Sequence, residues 1–473
     1  MIKPMPCLLA MGLALSLASA GAHAATPELP AGLPGYAADK PLPVPDISRR
    51  TLGNGLEVWV VPRDGLPRVD YVLAMRDAGL AADAAATPGF ATVLAQLLTA
   101  GTQAHDARQI AELAQGMGGS IGANASVDGL LVRGQALASQ AKPMLALLAE
   151  VARTPSFADD EVELARANAA QELKAAEAQP GFRASRALLK AVYGDHPYAR
   201  TQLDHATLPA LTPAALKQEH ARRFRPGHGL LVITGRIDAA TAFAEAERAF
   251  GDWNGQGEAV ADTVPAPRQA PAKRAILPRS GSVQSTFRIG RPAIAATDPD
   301  YVPLQLASTV LGSGISSRLN QNLREEKGYT YGAGARLAAL RAGGNLAASA
   351  DVRNEVTGAS LKEFFREFDR LGKEPVPAAE LESTKRYVAG GYLISNQLQG
   401  AVAGTLANNW LAGLPAEFLG QYVGRIRAVD AAKLQAVAAR YYAPDSQSVI
   451  VVGDRDAVAA QLEPFGSFSV EER

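Results

Sequence analysis

Arg324 and Tyr331 stand seven residues apart in the run LGSGISSRLNQNLREEKGYTYGAGA, residues 311–335. A guanidinium and a phenol both donate hydrogen bonds, so together they could hold a carbonyl oxygen that is gaining negative charge during acyl chemistry. The same two residues also serve as a solvated cation and a ring at the end of a sheet, and the pair alone does not choose between these uses. What must position them is a short series of elements. Gly312 and Gly314, on either side of Ser313, permit conformations and close approaches that a Cβ forbids, so residues 312–316 read as a tight loop. A helix capped by Ser317 should follow, with Leu319 and Leu323 one turn apart on its inner face and Gly328 at its end. Residues 329–331 have strand composition, which would return Tyr331 toward Arg324.

The rest of the chain narrows the chemistry. Lysines and arginines number 47 and acids 47 in 473 residues, so no overall basic field attracts nucleic acid or an anionic membrane. Lys3, the apolar run 7–20 and Ala22-His23-Ala24 form a secretory signal pattern over residues 1–24, which predicts export to the periplasm of a Gram-negative bacterium, without a membrane anchor. Cys7, the one cysteine, lies inside that segment, so the exported protein would hold neither disulfides nor thiolate metal sites. His105, His196, His205, His220 and His228 have no recognised ligand spacing and read as structural or surface residues.

Periodicity predicts an α+β chain. Prolines in residues 25–50 suggest an extended arm, and Asn54-Gly55 marks a hairpin turn. Residues 69–76 place Val69, Tyr71, Leu73 and Met75 on one face of a strand. In residues 89–102, Phe90, Val93, Leu94, Leu97 and Leu98 define a buried helix whose other side carries Thr92, Ala95 and Gln96. Helices are expected over 106–115, 142–153, 159–178 and 216–224, with strands near 130–137 and 230–234. A repeat then appears: Phe224 matches Tyr442, Pro226 matches Pro444 and Gly235 matches Gly453, each pair 218 residues apart. Two copies of one unit therefore divide the chain into halves at 51–254 and 279–473, joined by a Pro-rich linker at 255–278. Residues 311–335 are expected to be the counterpart of residues 89–102.

These motifs together resemble the pitrilysin or insulinase type of zinc metallopeptidase. The likeness rests on the G-F-A-x-x-L-x-x-L-L-x-x-G-T helix from Gly89, on Gly194-Asp195-His196-Pro197-Tyr198, and on residues 311–331, and it covers nearly all of the chain after residue 24. It implies two homologous halves, each a mostly antiparallel sheet covered by helices on one side, forming one half of a clam-shell. In active members the first-half helix carries H-x-x-E-H, which ligates zinc and activates a water. Here Thr92, Ala95 and Gln96 occupy those positions, so that chemistry is lost, and Glu172 alone matches the distal glutamate ligand. The family asparagine after the double glycine is also absent, Gly122-Ala123 standing in its place, while Asp128 matches a later family aspartate. Arg324 and Tyr331 match a pair that crosses to the zinc half and hydrogen-bonds substrate.

The resemblance thus implies a zinc-less subunit that supplies Arg324 and Tyr331 to a zinc-bearing sister chain, with Gly312, Ser313 and Gly314 beside an extended or unfolded peptide substrate. No metal is expected in this chain, and zinc is expected in the partner. The alternatives are a non-catalytic scaffold or peptide-binding protein with the peptidase fold and, third, an independent metal site elsewhere.

Overall fold

The computed structural model describes residues 46–255 and 258–471, together with Gly32. The expected signal segment lies outside the described residues, as does most of the expected arm. The arm's last residues are in fact a strand, Ser48–Thr51 (β1), which pairs antiparallel with Glu57–Pro62 (β2) through the turn at Asn54-Gly55. Gly55 supplies the left-handed φ of +91° that this turn requires, and the Asn54 amide fixes it by donating to the carbonyls of Phe250 and Trp253.

The first half continues as Arg68–Arg76 (β3), Phe90–Leu97 (α1), Ala107–Gly116 (α2), Ser120–Ala125 (β4) and Gly129–Leu137 (β5). Then come Ala141–Arg153 (α3), Asp159–Glu177 (α4), Pro180–Tyr193 (α5), Pro213–Arg223 (α6), Gly229–Gly235 (β6) and Ala239–Phe250 (α7). The second half runs Arg274–Pro278 (β7), Gln284–Ala293 (β8), Tyr301–Gly312 (α8), the π-wound segment Asn320–Glu326, Ala333–Ala339 (β9) and Gly344–Arg353 (β10). It ends with Thr357–Lys373 (α9), Ala378–Ser395 (α10), Gln399–Leu411 (α11), Phe418–Ala428 (α12), Ala431–Tyr441 (α13), Ser448–Gly453 (β11), Arg455–Leu462 (α14) and Ser469–Val470 (β12). No helix among the described residues is long and apolar enough to cross a membrane.

The strand order states the duplication. One sheet runs β1-β2-β6-β3-β5-β4 and the other β12-β7-β11-β8-β10-β9, so that β2 and β6 correspond to β7 and β11, and β3, β5 and β4 to β8, β10 and β9. A parallel pair falls at the same place in each, β2 with β6 and β7 with β11, while the edge strands differ, β1 pairing antiparallel with β2 and β12 parallel with β7, and Gly235 and Gly453 close equivalent strands. This order makes α8 the counterpart of α1, and residues 311–335 the counterpart of the segment leading through α2 into β4, which corrects the equivalence expected from sequence. The linker also ends earlier than expected, because residues 274–278 are β7. Before it, Val264 and Ala266 are docked, the latter donating its amide to the Ala342 carbonyl at 2.7 Å.

One face of each sheet holds a helical layer. Val69, Tyr71, Leu73 and Met75 of β3 pack with α1, α3 and α7 as the alternation predicts, and Phe287, Ile289, Leu346 and Val451 pack likewise beneath α8, α9 and α13. The opposite faces are covered by exchanged helices. Trp59, Val72, Ala74, Leu131 and Val232 of the first sheet pack on Val402, Leu406, Trp410 and Leu411 of α11, from the second half. Ala184, Leu188 and Val192 of α5, from the first half, lie on Ala275, Leu277, Ile450 and Val452 of the second sheet. Each exchanged helix lies mainly over the inner strands, α11 over β3 and β6 and α5 over β8 and β11, and touches the next strand only in part, which leaves clefts at the β4–β5 and β9–β10 ends of those faces.

Candidate functional site

The first-half helix is firmly placed. Gly89 enters it with φ +82°, and the buried Asp83 carboxylate accepts from the Ala91 amide at 3.1 Å while Arg223 donates to it at 2.9 Å. Both side chains of that ion pair are 1% exposed. On this helix Thr92 and Gln96 are exposed and Ala95 is buried, and Glu172 is exposed on α4, which packs beside α1. A hydroxyl, a methyl and an amide provide neither an imidazole ligand nor a proton acceptor for a metal-bound water, so these residues do not fit a zinc ion. Among the described residues no three of His, Cys, Asp and Glu are grouped to hold a metal.

β4 adds a residue that the sequence reading passed over. Gly122 and Ala123 stand where the asparagine was sought, yet Asn124 lies two residues past Gly122 and so, by the strand period, on the same face. Asn124, Gly122, Arg133 and Asp70 border a cleft of about 450 Å³ at the open end of the first sheet.

In the second half the glycine loop is pinned from below. A Cβ at Gly312 would meet the Ala335 nitrogen at 2.0 Å, so only glycine lets the end of α8 cross β9 this closely. Ser313 closes α8 by donating its amide to the Thr309 carbonyl, and Gly314 follows with φ +85°. Asn320, not singled out from sequence, is the hub. Its buried amide donates to the carbonyls of Gly314 (3.0 Å) and Ala333 (2.8 Å) and accepts from the Ala333 amide (3.0 Å). Ser317 does not cap the helix through its side chain, since its hydroxyl instead donates back to the Gly314 carbonyl at 2.8 Å.

The helix that follows is wide. Lys327 donates to the Asn322 carbonyl five residues back and Tyr329 to that of Leu323, while the Asn322 amide bridges Glu363 and Glu367 on α9 at 2.8 Å each. Leu319 and Leu323 are buried as expected. Residues 329–331, expected as strand, are irregular, because β9 begins only at Ala333, where the Asn320 staple starts its pairing. Arg324 therefore lines a cleft of about 440 Å³ with Gly312, Gly314 and Asp351, whereas Ser313 and Tyr331 do not. Arg324 pairs only with its neighbour Glu325, at 3.3 Å, and Tyr331 is 93% exposed with no hydrogen bond among the described residues.

The remaining motif is architectural. Tyr198 of Gly194-Asp195-His196-Pro197-Tyr198 donates its hydroxyl to buried Asp128, which also accepts the Arg341 amide at 2.8 Å, and the Ala342 amide donates to the Tyr198 oxygen at 3.0 Å. Burial raises the Asp128 pKa, and the Tyr198 and Arg341 hydrogen bonds oppose that shift. Arg341 further pairs with Asp77, beside His228 at 3.4 Å, so the loop after β9 is locked to the first half. His196 accepts the Tyr198 amide at Nδ1 and donates Nε2–H to the Val264 carbonyl, a structural use. His205 sits against Glu177 and His105 against Glu150, each at 2.9 Å.

Comparison with known proteins agrees with this architecture. A profile described as insulinase (peptidase family M16) matches residues 74–205, the part with α1 and β4, and one described as the peptidase M16 inactive domain matches residues 210–388. The chain belongs to the insulinase, or pitrilysin, family of metallopeptidase homologues, peptidase family M16. Within M16 it is 25% identical over 355 residues to an uncharacterized zinc protease of Mycobacterium tuberculosis (strain H37Rv), covering 73% of this chain and 79% of the relative. It is 23% identical over 363 residues to one of Bacillus subtilis, covering 76% and 86%. A crystal structure described as a peptidase M16 inactive domain from Pseudomonas fluorescens superposes with a TM-score of 0.81 at 25% identity, covering 86% of this chain and 98% of that one. A protease from Helicobacter pylori has the same fold, at a TM-score of 0.81 and 21% identity over 87% of this chain and 100% of that one. Against that family pattern this chain is a zinc-less member: Thr92, Ala95 and Gln96 replace H-x-x-E-H.

Proposed function

We propose that this chain is the non-zinc subunit of a heterodimeric, peptide-degrading metallopeptidase, exported to the periplasm of a Gram-negative bacterium, and that it supplies Arg324 and Tyr331 to the active site of a zinc-bearing sister. The supporting observation is an asymmetry between the halves. The first-half helix carries no residue able to bind or use zinc, whereas Arg324 and Tyr331 are presented to solvent without strong partners of their own. In this role the two chains would pair as the halves of a clam-shell. Arg324 and Tyr331 would donate hydrogen bonds to the oxygen of a peptide carbonyl as it becomes an oxyanion, while the zinc site of the sister supplies the attacking water. The loop Gly312–Gly314 would pass beside an extended or unfolded substrate.

Mixing the purified chain with a zinc-bearing sister and assaying peptide cleavage tests the two residues. Arg324→Ala or Tyr331→Phe is expected to lower kcat roughly tenfold or more with assembly unchanged by gel filtration. Full turnover by both variants would instead favour a scaffold or peptide-binding role. The separation of Tyr331 from the cleft that Arg324 lines is the observation on that side.

A further inference from the structure

The open end of the second sheet is basic in a chain whose formal net charge is zero. Because α5 covers only part of that face, two adjoining clefts of about 430 and 440 Å³ remain over β9 and β10, both bordered by Arg288, Gly312, Gly334 and Ser349. Each has the size of a ligand cleft, and the small residues keep its floor low. Three arginines rise around them. Arg336 of β9 lines one cleft, Arg324 lines the other, and Arg288 of β8 lies between.

Among the described residues the only lining carboxylate is Asp351, which accepts the Thr286 hydroxyl at 2.6 Å. Glu325, against Arg324, is not part of the lining. Arg288 donates Nε–H to the Ser185 hydroxyl and one Nη1 hydrogen to the Phe287 carbonyl, two of its five donors and both to neutral acceptors, and the Arg336 side chain makes no hydrogen bond or ion pair among the described residues. Burial lowers the pKa of Arg288, with Asp351 opposing the shift and Arg336 adding to it, so the two guanidiniums are near enough to repel. Unpaired like charges over a low floor form a site that an anion relieves.

Building on the subunit role above, we propose that this double cleft selects acidic peptides, taking glutamate or aspartate side chains of an extended substrate against Arg288 and Arg336 while Arg324 faces the backbone to be cut. Surface pairs of this kind are individually weak, so selectivity comes from several acting together and weakens with salt.

Binding to the purified full chain, without any partner, tests the selection apart from catalysis. The probes are a fluorescent Ala/Ser/Gly peptide carrying a run of glutamates and its glutamine isostere, read by anisotropy at low salt. The glutamate peptide is expected to bind about tenfold tighter. The preference should fall in Arg336→Gln, an exposed change that leaves the fold alone, and vanish in Arg288→Gln/Arg336→Gln. Equal binding of the two peptides would overturn the proposal, as would a preference that survives both substitutions or equally effective competition by a single-stranded oligonucleotide. If acidic selection fails while Arg324→Ala still slows the mixed enzyme, the subunit role stands without it. If selection holds while Arg324→Ala has no effect on turnover, the cleft is a binding site alone.

Discussion

His220 is a partly buried histidine whose titration the fold shifts strongly. It stacks on Phe224 at 4.5 Å and donates Nε2–H to the Ala152 carbonyl at 2.9 Å, and burial lowers its pKa from 6.5 to about 4. The unfolded chain therefore binds a proton that the folded chain refuses between those values. Its contribution is complete above pH 6.5 and is lost as the pH falls toward 4, on the order of 3 kcal/mol in total. Urea midpoints at pH 7 and 4.5 should accordingly drop more for the native chain than for His220→Gln, which keeps a donor but cannot titrate. Equal drops would assign acid sensitivity to other groups. The histidine spacings already argued against a ligand pair, but its burial depends on Phe157 and Phe224 packing around it, which no local pattern states.

At the scale of elements, the segment from Gly312 to Ala333 is a stapled unit, and Asn320 holds it. Asn320→Ala removes bonds to the Gly314 carbonyl and to both backbone groups of Ala333, leaving buried groups unsatisfied at a cost of about 1–3 kcal/mol. Hydrogen exchange should show the Ala333 amide losing protection while the β3 amides keep theirs. Gly312→Ala sets a methyl against the backbone of Ala335, which cannot move aside as a side chain would, and should cost roughly 1–3 kcal/mol in denaturant unfolding. The glycines, Leu319 and Leu323 were legible because turn chemistry and apolar spacing are local. The π winding was not, because it follows from Asn322 reaching Glu363 and Glu367 on α9, about forty residues further on. For the same reason Tyr331 could pass for a strand residue until the pairing of β9 was seen to start at Ala333.

For the whole molecule, the exchange of α5 and α11 makes the halves interdependent. Alternation along β3 showed its α1 side, yet Val72 and Ala74 on the other side are equally buried, by a helix more than three hundred residues away. Both exchanged helices escaped the sequence reading. The helix expected over 159–178 does end where α4 ends, but a second helix starts at once, with Pro180 as the first residue of α5, a position where its missing N–H costs nothing. The apolar face of α11 has its partner in the other copy. The duplication itself was visible, since Phe224/Tyr442 and Gly235/Gly453 occupy equivalent places around β6 and β11.

Val402, Leu406, Trp410 and Leu411 each contribute about 1.5–3 kcal/mol when buried, so residues 46–255 expressed alone should expose the β3–β6 face and bind a hydrophobic dye. Co-expression with residues 258–473 should restore a single cooperative transition. A stable, dye-negative first half would show that the exchanged helix is dispensable.

The central claim is that half of an active site resides here and the other half in a sister. Peptide cleavage by the purified chain, by a zinc-bearing sister and by their equimolar mixture addresses it directly. The account predicts no cleavage by this chain alone and chelator-sensitive cleavage by the mixture well above that of the sister. Cleavage by this chain alone, or a mixture no faster than the sister by itself, would contradict it.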